Sequence, residues 1–230
     1  MKLILFVVVM AALLAPLVQA DPVASNAGQR PVITRIDPPE KVFFSKQLMY
    51  QGIPIKASAE VSDQALEVAF DRLSLLLQHL PQITTNLAAA RIELHIIGRN
   101  QVTTDLPEWR QDKGKPLAEY HGLTRDQRTR GMGGQLVSCG EENLLKLDKD
   151  KYHGRDICVH EFAHAIRNYG MSPAQLAKFD RQYESSIKKG LWVKGYAASN
   201  PDEFFAELSM WYFGTHGDLA MNDPKPGNGS

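Results

Sequence analysis

Ile157-Cys158-Val159-His160-Glu161-Phe162-Ala163-His164-Ala165-Ile166 decides how the rest of the chain is read. No Pro interrupts the segment, and its flanks are apolar, so it predicts a mostly buried helix. On such a helix His160 and His164 lie one turn apart and point the same way. Two imidazoles so placed can fill two corners of a tetrahedral Zn²⁺ site. Glu161 falls between them, too close to be a third ligand on that helix. It is well placed to act as base for a zinc-activated water. The plain alternative is an amphipathic helix with two incidental histidines. The apolar flanks argue against it, because a His-Glu-His cluster is costly to bury without a partner.

The third ligand must come from elsewhere. The extended motif of one zinc-peptidase subclass would need Gly at 167 and His at 170; the chain has Arg167 and Gly170, which excludes it. Downstream, Asn200-Pro201-Asp202-Glu203-Phe204-Phe205-Ala206-Glu207-Leu208 predicts a second helix, with Asn200 as cap and Pro201 in its first turn. Glu203 and Glu207 share one face amid apolar residues. We read Glu203 as third ligand and Glu207 as the acceptor that orients a ligating histidine. The reverse assignment stays open, as does a solvated face with acids near the helix N-terminus.

The remaining chain frames these two helices. Met1 to Ala20 reads as a signal peptide: Lys2, an apolar run from Leu3 to Leu14, then Val18-Gln19-Ala20 before Asp21. A secreted or periplasmic chain follows from that reading. Lys+Arg and Asp+Glu balance at 26 each, which argues against a nucleic-acid binder. No second apolar run is long enough to span a membrane. The two cysteines, Cys139 and Cys158, are expected to form a disulfide closing a loop of about 20 residues, worth roughly 3 kcal/mol. The alternatives are zinc ligation by Cys158, disfavoured by its helix face, and two free buried thiols.

Residues 21–55 read as an extended leader, with an apolar strap or short strand over 42–55. A domain spanning 56–214 follows, and 215–230 reads as a loose tail. Within the domain, a Leu-rich helix begins at Ser62 or Asp63 and ends at Pro81. Residues 83–90 read as a linker with a short helical turn, 91–98 as a strand, and His95 as a packing or surface residue. Gln135 to Ser138 is the candidate edge strand for aligning an extended substrate. A further helix starts at Ser172-Pro173. The fold class is therefore α+β: a small sheet with the HExxH helix and a following Glu-bearing helix.

His160-Glu161-Phe162-Ala163-His164, Tyr196 and Asn200 to Glu207 together resemble the catalytic domain of anthrax lethal factor and its secreted bacterial relatives. These are gluzincin-type zinc metallopeptidases. The motifs cover about 50 residues. The resemblance implies ligands His160, His164 and Glu203, base Glu161, and Tyr196 as hydrogen-bond donor to the oxyanion or leaving group. Tyr196 stands seven residues before Glu203, at the family's spacing. Nothing resembles the toxin's delivery domains, so toxin substrates do not carry over. The expected activity is a zinc metalloendopeptidase, a monomer acting on protein or peptide substrates. A non-catalytic zinc-binding scaffold of the same fold and a cell-wall peptide amidase are the alternatives.

Overall fold

A computed structural model describes residues 32–192 and 195–217. The signal-peptide pattern, the first part of the leader and the end of the tail lie outside them. A six-stranded mixed sheet carries the structure, in the order β1-β2-β3-β4-β6-β5. Strands β1 (Thr34–Glu40), β2 (Phe44–Tyr50) and β3 (Ile53–Ala57) form an antiparallel meander. Strands β3, β4 (Glu93–Ile97) and β6 (Leu136–Gly140) are parallel. A two-residue strand, β5 (Gly131–Met132), closes the sheet antiparallel to β6.

Parallel neighbours need a crossover between them. Between β3 and β4 it consists of α1 (Asp63–Leu77) and α2 (Pro81–Ala89). Ser62 caps α1, its hydroxyl accepting from Ala65 N. Leu66, Ala69, Leu73 and Leu77 repeat at three and four and are all buried. They pack against β2 and β3, where the register sets Leu48 beside Ile55; the same row continues through Leu94 and Val137. Each buried leucine, isoleucine or valine here contributes about 1.5–3 kcal/mol through burial.

Two segments differ from the sequence reading. Residues 34–57 supply three strands of the sheet, where the sequence reading has a leader with one strap or short strand over 42–55. The 83–90 linker is the helix α2, because Pro81 occupies the first turn of a new helix rather than merely ending the previous one. His95 is fully buried on the sheet face away from α1. Its Nδ1 lies 2.5 Å from Glu108 and its Nε2 2.9 Å from Glu93, and Lys56 also pairs with Glu93 at 2.9 Å. Burial opposes its positive charge, but Glu108 and Glu93 outweigh that and raise its pKa.

After β6 the chain makes one helical turn, Glu141–Leu144, before reaching the HExxH helix. Glu141 is fully buried and accepts from Ser62 N and Arg99 N, both at 3.0 Å. Glu142 pairs with Arg130 at 2.6 Å. These acids hold the turn in place. Among the described residues no helix is long and apolar enough to cross a membrane.

Candidate metal centre and cleft

The HExxH helix spans Ile157–Ala165. Its N-terminus is buried, so its free N–H groups need partners. Asp156 caps it, accepting from Val159 N at 3.0 Å, and Arg72 of α1 pairs with that carboxylate. Asn143 Oδ1 accepts from Ile157 N at 2.8 Å, and its Nδ2 donates to Arg155 O at 2.7 Å. The helix is thereby locked to the turn after β6. Beyond Ala165 the chain continues as a π-helical turn, Ile166–Gly170, then the helix Pro173–Lys188 capped by Ser172.

The Glu-bearing helix spans Pro201–Tyr212 and packs directly on the HExxH helix. Asn200 caps it, accepting from Glu203 N at 2.9 Å. Buried Arg167 reaches across to Asp202 at 3.2 Å and also pairs with Asp180, fixing where the helix begins. Arg167 thus holds the residue next to Glu203.

Three candidate ligand atoms converge. His160 Nε2 lies 3.3 Å from His164 Nε2 and 3.2 Å from Glu203 Oε2, and His164 Nε2 lies 3.6 Å from the same oxygen. Ligands at zinc distances on a tetrahedron are about 3.3 Å apart. Glu203 Oε2 is buried and has no hydrogen-bond donor. The donor set, two imidazoles and one carboxylate, suits zinc, so the residues fit the ion. Glu161 also offers an oxygen within 4.8 Å of both imidazole donors, but Glu203 Oε2 lies nearer to them.

Glu207 Oε1 lies 3.2 Å from His160 Nδ1, without hydrogen-bond alignment in this state. Its other partner is Arg155, a buried arginine that the sequence did not single out. Arg155, Glu207 and His160 therefore form a chain leading to the centre. Tyr196 donates to Glu203 Oε1 at 2.5 Å, and its ring lies parallel to that of His160, centroids 6.2 Å apart.

Burial and charge set the protonation of the cluster. Burial opposes a charge on His160, but Glu203 and Glu207 overcome it and push the imidazole up to about 10. Burial would raise Glu203, yet His160 and His164 hold it well below the usual carboxylate range. Burial raises Glu161, with His160 and His164 partly offsetting it. Burial and then Glu203 raise Tyr196, which stays a phenol donor.

The cleft beside these residues encloses about 160 Å³. Its floor includes Gly131 and Gly133. A Cβ on Gly131 would stand 2.4 Å from Ile157 Cγ2, and one on Gly133 would stand 3.1 Å from His164 Cβ and 3.2 Å from Glu161 Oε2. The glycines let the edge backbone lie directly on the HExxH helix. The edge is therefore β5, not the 135–138 segment expected from the sequence. That segment forms part of β6, which is paired on both sides.

The two cysteines are corrected as well. Cys139 on β6 and Cys158 in the first turn of the HExxH helix are free, buried thiols, and the expected disulfide is not formed. Burial raises the Cys139 thiol, and its contact with Cys158 raises it further.

No family model matches the chain, and no curated protein matches it. Among solved structures it is similar to the PRO-PRO endopeptidase from Paenibacillus alvei. The match has 19% identity and a TM-score of 0.48, and covers 72% of this chain and 85% of that one.

Proposed function

We propose that this protein is an exported zinc metalloendopeptidase. The observation that carries the reading is the triangle of His160 Nε2, His164 Nε2 and Glu203 Oε2, with sides of 3.2–3.6 Å, beside a cleft containing Glu161. Export rests on the pattern of residues 1–20.

His160, His164 and Glu203 would hold the ion. Bound there, zinc would supply a Lewis acid that polarises a carbonyl and acidifies water. Glu161 accepts the proton of the attacking water and passes it to the departing amide nitrogen. Its burial raises its proton affinity, the direction a general base needs. Tyr196 remains protonated and can donate to the oxygen on which charge develops, in the role implied by the lethal-factor resemblance. Arg155 and Glu207 restrain the His160 ring. The free edge of β5 offers backbone groups to an extended peptide.

The test is Glu161→Gln, assayed on unfolded proteins and peptide libraries. The variant should keep its zinc and lose about 100-fold or more in kcat/KM. Hydrolysis retained at the wild-type rate would remove Glu161 from the reaction. No cleavage by zinc-loaded wild type would favour a binding scaffold.

A further inference from the structure

One wall of the cleft carries two cations that, among the described residues, no carboxylate pairs with directly; Glu161 acts on Arg128, and Glu142 on Lys151, only from beyond ion-pair distance. Arg128 and Lys151 both line the cavity with Glu161 and His160, and both are half-buried. Neighbouring arginines are paired: Arg125 with Asp112 at 2.7 Å, Arg130 with Glu142 at 2.6 Å, and Arg155 with Glu207. Among the described residues neither Arg128 nor Lys151 has a carboxylate within ion-pair distance. Lys151 Nζ lies 3.5 Å from the Gln127 carbonyl and 5.5 Å from the Tyr152 ring centre. Arg128 stands 6.0 Å from the Tyr120 ring centre.

Two cations without a direct ion-pair partner in a half-buried wall favour an anion beside them. Burial lowers the Lys151 pKa, and repulsion from Arg130 and Arg128 lowers it further, with Glu142 offsetting only part of that. Tyr120, Tyr152 and Met132 add apolar surface around them. A carboxylate entering the cleft would meet both charges at once, in a setting less screened than open solvent.

We propose that Arg128 and Lys151 form a carboxylate-binding subsite, so that the cleft selects peptides bearing an acidic group close to the bond being cut. This rests on the peptidase reading above and adds a substrate class to it. The carboxylate can belong to an internal Asp or Glu, or to a free C-terminus.

The test uses the zinc-loaded protein and quenched fluorescent peptides that differ only in Asp/Glu against Asn/Gln, each made with a free and an amidated C-terminus. Acidic peptides should be cleaved with kcat/KM at least roughly tenfold above their amide counterparts, mainly through KM and less so at high salt. A preference surviving amidation assigns the carboxylate to a side chain; one lost on amidation assigns it to the C-terminus. Arg128→Gln with Lys151→Gln should bring the ratio near one, and Arg128→Glu with Lys151→Glu should turn the preference towards Lys-bearing peptides. Melting curves check that each variant folds. Equal rates for acidic and amide peptides, or a ratio unmoved by both double variants, would overturn the inference and leave the peptidase reading intact. Binding of the same peptides to Glu161→Gln gives a readout independent of turnover. Discrimination without any cleavage would keep the subsite and sink the peptidase reading, and its absence there too would overturn the subsite.

Discussion

Replacing Arg155 with Met separates what holds the fold from what serves the candidate metal centre. The Arg155 and Glu207 side chains are only 5% and 12% exposed, and they pair directly. Breaking a buried pair by removing one partner leaves an uncompensated charge, at about 3–5 kcal/mol. His160 Nδ1 lies 3.2 Å from the same Glu207 oxygen and takes up part of that charge, which favours the lower figure. A loss of about 3 kcal/mol in a chain of this size lowers Tm by about 6–12 °C. Adding Glu207→Gln removes the stranded carboxylate and should recover most of the loss. It should not recover zinc binding, because His160 then lacks its acidic neighbour, and affinity should fall about 10–100-fold. The assay is a circular-dichroism melt in chelator, with zinc titration of each variant. An Arg155→Met protein melting within about 2 °C of wild type, or a double variant no more stable than the single, would refute the reasoning.

Other outcomes follow from the same contacts. Gly131→Ala places a methyl 2.4 Å from Ile157 Cγ2, so it should cost about 1–3 kcal/mol in stability and displace β5 from the HExxH helix; melts and peptide kinetics will read both. Glu141, held near pKa 2 by Arg99 and Ser62 against the effect of burial, stabilises the fold above its unfolded pKa of 4.5. That contribution should fade as pH falls from about 4.5 to about 2; Glu141→Gln should be destabilised at pH 7, with the gap to wild type closing towards pH 2. Chelation of protein held at zinc about 100-fold above Kd should remove about 2.7 kcal/mol and lower Tm by about 5–10 °C, whereas an unchanged Tm would argue against a site formed by folding.

Local signals made much of this architecture legible. Ser62, Ser172 and Asn200 act as the caps that their side chains and following residues suggest. The 3.6-residue period of Leu66, Ala69 and Leu73 marks the buried face of α1. What stayed hidden depends on distant partners or on residues with two meanings. Pro38 and Pro39 made the first strand read as leader, yet an edge strand tolerates proline. Pro81 ends one helix and starts the next.

The site divides in the same way. HExxH and the Glu203–Glu207 spacing are local patterns, and the structure brings these side chains together. Arg155 and Arg167 reach partners 52 and 35 residues away, and no local pattern reports such pairing. Gly131 and Gly133 were visible as a glycine-rich run. Their purpose, close approach of the sheet edge to Glu161 and His164, exists only in the folded chain. The cysteine count suggested a bridge; the structure has two buried thiols in contact instead.

The most direct measurement of the central claim is bound metal by elemental analysis, after zinc reconstitution, for wild type and Glu203→Ala. The account predicts about one zinc per wild-type chain and its loss or marked weakening in the variant. A wild-type protein that takes up no zinc would contradict it, and zinc held equally by both would remove Glu203 from the ligand set.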